Sequence, residues 1–115
     1  MKEIFERYLY AGAVMRDPDA VAALFTSDGV YEVPLAGVRL EGPDAIRAGI
    51  GRFQTDPRPV NFEKSRSVLH QTADPDIFMA EIDAAFTDGG TMALLQIFRL
   101  RDGKIAHLRD YFDPR

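Results

Sequence analysis

The chain has 115 residues, of which 46% are hydrophobic and 28% are charged, and its formal net charge is −4 at neutral pH. This length predicts a single domain over residues 1–115, and the acidic balance gives nucleic acid no basic surface to bind. The absence of cysteine excludes disulfides and thiolate chemistry. The first residues lack the apolar stretch of a signal peptide, and the longest apolar run, residues 20–25, is too short to span a membrane, so we expect a cytoplasmic protein.

Helices are predicted in the first half of the chain. Apolar residues recur every three or four positions over residues 2–15, which is typical of one amphipathic helix. Asp17 can cap a second helix, which has Pro18 in its first turn and covers residues 20–25. The Asp-Gly pair at residues 28–29 is expected to end that helix.

A strand candidate at residues 30–33 is followed by a turn or short strand at residues 37–42. Pro43 then opens a third helix. The buried stripe of this helix is predicted to consist of Ile46, Ile50 and Phe53. Two prolines indicate a loop at residues 54–59.

The second half of the chain has the period-two pattern of strands. The predicted strands cover residues 60–72, 77–87, 91–100 and 104–112. Short turns rich in aspartate and glycine join them, which predicts an antiparallel meander. Because the helices precede these strands, the pattern indicates an α+β fold with helices on one face of a curved sheet. The second of these strands is apolar on both sides, so we expect a second copy of the chain to cover the other face as a homodimer.

One acid stands out in the last predicted strand. Strand alternation puts Asp110 on the same face as Ala106, Leu108 and Phe112. A carboxylate buried on an apolar face without a partner is costly, so such a residue is either paired structurally or kept for chemistry.

Several segments together carry a family resemblance. They are Asp-Pro-Asp at residues 17–19 before a helix with Leu-Phe at 24–25, Val-Tyr-Glu-Val-Pro at 30–34, Glu-Gly-Pro-Asp-Ala-Ile at 41–46 and Arg-Asp-Tyr-Phe-Asp at 109–113. With these, the whole chain resembles the nuclear transport factor 2-like superfamily and its SnoaL-like branch. The resemblance implies a cone-shaped, cystatin-like α+β fold, often dimeric, in which N-terminal helices and a mainly antiparallel sheet enclose a pocket. Members include ketosteroid isomerases, polyketide cyclases, limonene epoxide hydrolases and domains without catalysis.

The functional residues of ketosteroid isomerase are mostly not present at the matching positions of this chain. The resemblance puts its general base at Val33, its oxyanion acid at Gln96 and its helix tyrosine near Leu9, with Tyr8 adjacent. Valine cannot move a proton, so the resemblance does not imply steroid-type isomerisation by that mechanism.

Limonene epoxide hydrolase matches the end of the chain better. By this resemblance Asp110 corresponds to the water-activating aspartate, Asp83 to the second aspartate and Tyr31 to a water-holding tyrosine. Two departures argue against epoxide hydrolysis, because Val33 replaces the water-holding asparagine and Glu81 replaces the arginine that bridges the aspartates. In SnoaL-type polyketide cyclases the acid/base aspartate also matches Asp110.

The lengths of two hairpin loops decide which side chains share a face. A two-residue loop before the strand at residues 91–100 would put Asp83 on the same face as Gln96, whereas a three-residue loop would not, and the sequence allows both. The resemblance favours the first arrangement, and a three-residue turn ending at Gly103 then brings Asp110 to the same face. The site predicted in this way has Asp110, Asp83 and Tyr31 as catalytic residues, and Gln96, Glu81, Val33, Leu94, Leu108 and Tyr8 as substrate-binding residues.

These residues suit acid/base catalysis without a cofactor, because crowded carboxylates in an apolar pocket raise one another's pKa until one holds a proton. The two histidines have no third ligand at metal spacing, so no metal site is expected. We therefore expect a cyclase, isomerase or hydrolase acting on a small apolar molecule such as a polyketide, terpenoid or steroid-like compound. Two alternatives stay open. The acids could pair structurally with Arg39, Lys64 or Arg66, and the protein could be a non-catalytic ligand-binding or dimerisation domain of the same fold.

Overall fold

The structure of the chain, a computed structural model, describes residues 1–53 and 59–113, with only the backbone of Phe53. Most of the loop predicted at residues 54–59 and the side chain of Phe53 therefore lie outside the described residues. The helical elements are α1 (Lys2–Leu9), a π-helical turn (Tyr10–Val14), α2 (Pro18–Ala22), a 3₁₀ turn (Pro34–Ala36) and α3 (Gly42–Phe53). The strands are β1 (Phe25–Val33), β2 (Val38–Glu41), β3 (Arg66–Gln71), β4 (Ile77–Ala85), β5 (Thr91–Arg101) and β6 (Lys104–Tyr111).

The strands form one six-stranded sheet in the order β2-β1-β6-β5-β4-β3. All neighbouring strands are antiparallel except β1 and β6, which are parallel. The predicted α+β class and the antiparallel meander from β3 to β6 are confirmed. Within the described ranges, no helix is long and apolar enough to cross a membrane.

An aromatic cluster fixes α1 against the centre of the sheet. The rings of Phe5 and Tyr8 meet the ring of Phe98 edge-on, with centroid separations of 6.1 and 5.6 Å. Phe98 in turn stacks on Phe78 at 4.6 Å. Each such pair stabilises the fold by roughly 0.5–1.5 kcal/mol beyond the area it buries. The cluster therefore holds one face of α1 over β4 and β5.

The second helix begins as predicted and ends earlier. The carboxylate of Asp17 accepts hydrogen bonds from the backbone N–H groups of Asp19 at 3.0 Å and Ala20 at 3.3 Å. The prediction that residues 28–29 end this helix is wrong, because they lie inside β1, where the pairing with β6 is irregular. A Cβ on Gly29 would lie only 3.0 Å from the carbonyl oxygen of Thr26. Glycine here permits a close approach of two backbone segments rather than ending a helix.

Helix α3 packs closely on β2 through a glycine. Ile46 and Ile50 are buried as predicted. A Cβ on Gly49 would lie 2.2 Å from Cδ1 of Leu40, which is far closer than real contacts allow. Glycine at this position leaves room for the side chain of Leu40 against the helix, and a larger residue would force that side chain to move.

The strand predicted at residues 60–72 is interrupted. Val60 forms an isolated bridge with Phe86, and regular pairing resumes only at the start of β3. Between them the hydroxyl of Ser65 accepts from the backbone N–H of Ala85 at 2.9 Å and donates to the carbonyl oxygen of Asn61 at 2.8 Å. A serine side chain thus satisfies backbone groups that would otherwise pair in a ladder.

Candidate active site

The loop between β4 and β5 has three residues, 87–89. The N–H of Phe86 donates to the carbonyl oxygen of Gly90 at 2.8 Å, and Gly89 has φ +92°. A left-handed glycine in the third position is typical of three-residue hairpin loops. The resulting register pairs Ala80 with Gln96 and Asp83 with Ala93. The two-residue loop favoured by the family resemblance is therefore wrong.

This register places two of the predicted site residues on the outer face of the sheet, away from Gln96. Asp83 is exposed. Glu81 is also exposed, and its carboxylate lies 2.7 Å from Nε2 of His70. The expectation that Asp83 and Glu81 share a pocket with Asp110 is wrong, because adding one residue to a hairpin loop reverses the face on which every following side chain lies.

The turn between β5 and β6 also differs from the prediction, but Asp110 still lies on the predicted face of the sheet, the face that carries Gln96. Arg101 pairs with Lys104, so the turn has two residues, both with positive φ, rather than three. Further along, Leu100 pairs with Ile105 but Arg99 pairs with His107, which leaves Ala106 as an extra residue in β6.

This β-bulge sets the face of the rest of β6. Without the extra residue, Arg109 would lie opposite Gln96. With it, Asp110 lies there. The bulge thus gives the alignment that a longer turn was expected to give.

A cavity of about 940 Å³ lies between the helices and the inner face of the sheet. This volume suits a small organic ligand. Tyr8, Tyr31, Leu94, Gln96 and Asp110 line it, and all five were predicted site residues. The exposed side chains of Val14 and Phe62 also line it and mark its mouth. Further apolar parts of its wall are formed by Val21, Ile50, Ile82, Met92 and Phe112.

Two predicted substrate-binding residues do not line the cavity. Val33 and Leu108 are almost completely buried in the hydrophobic core. They lie on the strands that carry Tyr31 and Asp110, but their side chains pack into the core. Their contribution is to fix those two strands, and the expectation that they contact substrate is wrong.

Asp110 is a nearly buried acid held by a tyrosine. Its residue is only 4% exposed, and the hydroxyl of Tyr31 donates a hydrogen bond to its Oδ2 at 2.8 Å. Burial raises the pKa of Asp110 to about 6, and the hydrogen bonds from Tyr31 and from the amide of Gln96 offset only part of this rise. Among the described residues no lysine or arginine pairs with Asp110, so the structural ion pair with Arg39, Lys64 or Arg66 is not formed there.

A second tyrosine extends this arrangement. Tyr8 is hydrogen-bonded to Tyr31, and burial together with the charge of Asp110 keeps the pKa of Tyr8 well above its usual value. Burial likewise raises the pKa of Tyr31. A phenol has one proton to donate, and that of Tyr31 goes to Asp110. Tyr31 therefore holds the carboxylate directly, and Tyr8 lies beside Tyr31.

Two buried oxygens at this end of the cavity have no hydrogen-bond partner in the described part of the chain. They are Oδ1 of Asp110 and Oε1 of Gln96. Gln96 is 4% exposed and lies directly opposite Asp110 in the strand register. An unpaired buried acceptor costs roughly 1–3 kcal/mol, so a protein that keeps two such groups side by side generally has a use for them.

Sequence reasoning missed the contribution of the first helical segment beyond Tyr8. Gly12, Val14 and Arg16 line the cavity, from a π-helical turn and the residue positions that follow it. Arg16 has φ +52°, an uncommon backbone conformation for a side-chain-bearing residue. The only hint in the sequence was a glycine at position 12 inside an otherwise regular helical pattern. Across the described ranges, no three His, Cys, Asp or Glu side chains are grouped to hold a metal ion.

The helices, the sheet order and the enclosed cavity define an α+β domain of the nuclear transport factor 2-like fold. A sequence profile of the SnoaL-like domain matches residues 5–108, and the chain belongs to this family. The resemblance drawn from the sequence motifs is thereby confirmed.

Known proteins of related sequence and structure agree with this assignment. An uncharacterized PhzA/B-like protein from Pseudomonas aeruginosa is 32% identical to the chain, over 79% of this chain and 69% of that protein. The crystal structure of a Bacillus subtilis protein proposed to be an isomerase has a TM-score of 0.79 at 22% identity, covering 98% of this chain and 86% of the other. An LEH-like epoxide hydrolase from M. tuberculosis has a TM-score of 0.65 at 27% identity, covering 96% and 80% of the two chains.

Proposed function

We propose that this SnoaL-like protein binds a small, largely apolar molecule in its cavity and catalyses a proton transfer on it without a cofactor, as an isomerase or cyclase. Asp110 is the acid/base residue in this proposal. The observation that carries it is a buried carboxyl on the cavity wall whose pKa is raised to about 6 and whose Oδ2 is fixed by Tyr31. A general acid or base works best when its pKa lies near the working pH.

The reaction we propose needs only one acid/base group. The Asp110 carboxylate removes a proton from the carbon next to a carbonyl, the electrons of that C–H bond form an enolate, and the same carboxyl returns the proton elsewhere on the molecule. A two-aspartate epoxide hydrolysis would need a second acid in the cavity. Asp83, which matches that second acid, lies on the outer face of the sheet.

The role proposed for the tyrosines is to hold the carboxylate rather than to transfer the proton. Tyr31 and Tyr8 both remain protonated because burial raises the pKa of each phenol. The hydrogen bond from Tyr31 favours the ionised, basic form of Asp110 and fixes its orientation. Leu94 and the other apolar wall residues exclude water, which strengthens these interactions.

Hydrogen–deuterium exchange of an enolisable ketone tests the proposal. With 2-tetralone in heavy water, NMR should show that the wild type exchanges the protons next to the carbonyl faster than buffer does. Asp110→Asn should lower this rate by roughly a hundredfold or more, the usual scale for losing a general base. Asp83→Asn, the matched control, should leave it unchanged. Exchange by Asp110→Asn at the wild-type rate, or none by the wild type, would contradict the proposal and favour a non-catalytic ligand-binding or dimerisation domain.

We also propose that the protein is a homodimer formed through the outer face of the sheet. Val68 and Leu95 are 53% and 37% exposed on this face, and Glu81 lies between them in the strand register. Exposed apolar side chains on one face of a sheet are typical of a surface that another subunit covers.

A further inference from the structure

The donors around Asp110 are directed toward its carboxylate. The hydroxyl of Tyr31 donates to Oδ2 at 2.8 Å. The amide of Gln96 also acts on the carboxylate as a donor, since it lowers the pKa of Asp110. The protein itself therefore supplies hydrogen bonds to the charged form of this acid.

The side-chain oxygens that lack a hydrogen-bond partner at this end of the cavity are acceptors. Oδ1 of Asp110 and Oε1 of Gln96 are buried and have no partner among the described residues. Both side chains line the cavity, both residues are more than nine-tenths buried, and they face each other across β5 and β6. Acceptor atoms can be satisfied only by a group that brings its own hydrogen.

We infer that the ligand of this cavity carries a hydroxyl group, and that this hydroxyl donates to the acceptor pair formed by Asp110 and Gln96. The substrate class is then a hydroxylated, otherwise apolar carbonyl compound. This inference rests on the proposed function for the use of the cavity as the substrate site, and it goes further by specifying a polar group that the substrate must have.

Other polar groups fit the acceptor pair less well. A carboxylate or phosphate would place negative charge beside the Asp110 carboxylate, and an ether or ketone presents only a further acceptor. An ammonium group can donate, but it would have to lose its hydration in a cavity whose walls are mostly apolar. A neutral hydroxyl supplies one donor at little desolvation cost, and the rest of the ligand packs against residues such as Leu94 and Ile82.

A matched ligand pair tests the inference. Calorimetric titration of the wild type with 2-naphthol and with 2-methoxynaphthalene compares the same ring system with and without the donor. We expect 2-naphthol to bind at least roughly tenfold more tightly, because the ether leaves both acceptors unpaired. In Gln96→Leu this preference should fall to roughly threefold or less, whereas Leu94→Val, which changes an apolar part of the wall, should retain the wild-type preference.

The possible results separate this inference from the proposed function. Equal affinity for the two compounds, preference for the ether, the same preference in Gln96→Leu as in the wild type, or no saturable binding of either compound would overturn the inference. The wild-type comparison alone decides the point if Gln96→Leu does not fold. Failure of the proposed function has a different signature, which is ketone exchange that does not depend on Asp110 while the preference for the hydroxyl compound persists.

Discussion

Gln96 and Asp110 lie directly opposite each other across β5 and β6, although the turn that joins these strands has only two residues. Simple pairing outward from that turn would put Arg109 opposite Gln96. The extra residue Ala106 shifts the register by one, and a carboxylate rather than a guanidinium then faces the cavity. The chemistry of the cavity thus depends on an irregularity several residues away from it.

Insertion of one alanine after Ala106 should therefore disrupt the protein. With the same one-residue bulge, the longer strand would place Arg109 opposite Gln96, so its charge would have to enter the apolar cavity and the acid would move to the outer face. Burying an unpaired charge of this kind costs roughly 3–5 kcal/mol, so we expect the free energy of unfolding to fall by about that amount. Urea denaturation followed by circular dichroism measures it.

The control for this insertion is Asp102→Asn in the two-residue turn. Asparagine followed by glycine suits a turn with two positive φ angles, so the free energy of unfolding should change by less than about 0.5 kcal/mol. An insertion variant as stable as the wild type would show that the number of residues at the bulge does not set the register.

Asp110→Asn should remove a pH-dependent destabilisation. The pKa of Asp110 is raised from 3.8 to about 6 in the folded protein, so the unfolded chain ionises first as pH rises. The free energy of unfolding should then fall between about pH 4 and pH 6 and level off above, by roughly 3 kcal/mol for a shift of this size. The asparagine variant should lack this fall and be as stable as the wild type, or more stable, near neutral pH.

Urea denaturation of both proteins across this pH range measures the effect, with Asp83→Asn as a control that keeps the wild-type pH dependence. A strongly destabilised Asp110→Asn protein at neutral pH would instead show that the carboxylate is needed for folding.

Tyr31→Phe should raise the pKa of Asp110 further. The hydroxyl of Tyr31 donates to the carboxylate and so favours its charged form. Losing a hydrogen bond to a charged group, worth roughly 1.5–3 kcal/mol, should shift the pKa upward by about one to two units. The pH dependence of ketone exchange, or the carboxyl carbon signal of Asp110 in NMR, reports this shift. Tyr10→Phe is the control, since Tyr10 is 57% exposed and lies away from the carboxylate. An unchanged profile for Tyr31→Phe would contradict the assigned hydrogen bond.

Much of the fold could be predicted because its signals are local. The cap at Asp17, the buried positions of α3 and the alternation in β4, β5 and β6 each follow from a few neighbouring residues. An Asp-Gly pair, in contrast, does not show by itself which backbone structure it forms. At residues 28–29 the pair belongs to an irregular strand, whereas at residues 102–103 the same two residue types form a turn. Gly29 is used for its missing Cβ and Gly103 for its positive φ, and only tertiary packing separates the two uses.

The site was harder to predict than the fold, because a change of one residue in a hairpin loop moves every side chain of the following strand to the other face of the sheet. The segment Asp-Gly-Gly at residues 88–90 fits both a two-residue and a three-residue loop, and the difference moves Asp83 between the two faces of the sheet. The bulge at Ala106 has no residue signature, since alanine is ordinary in a strand. Asp110 could be singled out because an acid among apolar neighbours is unusual whichever register forms.

Removal of the outer-face acids should leave catalysis unaffected. Asp83 and Glu81 are exposed on the face opposite the cavity, so Asp83→Asn and Glu81→Gln should keep ketone exchange within about twofold of the wild type. Rate measurements beside Asp110→Asn give the contrast directly. A loss of rate in Asp83→Asn as large as that in Asp110→Asn would favour the two-aspartate mechanism instead.

The proposed dimer makes a prediction for the outer face of the sheet. At micromolar concentration, light scattering should report twice the mass of one chain. Leu95→Glu should reduce this to the mass of one chain, because it places a second carboxylate beside Glu81 in a surface that the dimer must desolvate. Leu35→Glu is the matched control, since Leu35 is also exposed, at 61%, but lies in the 3₁₀ turn rather than on the sheet. A wild-type monomer, or a dimer that Leu95→Glu leaves intact while Leu35→Glu dissociates it, would contradict pairing through this face.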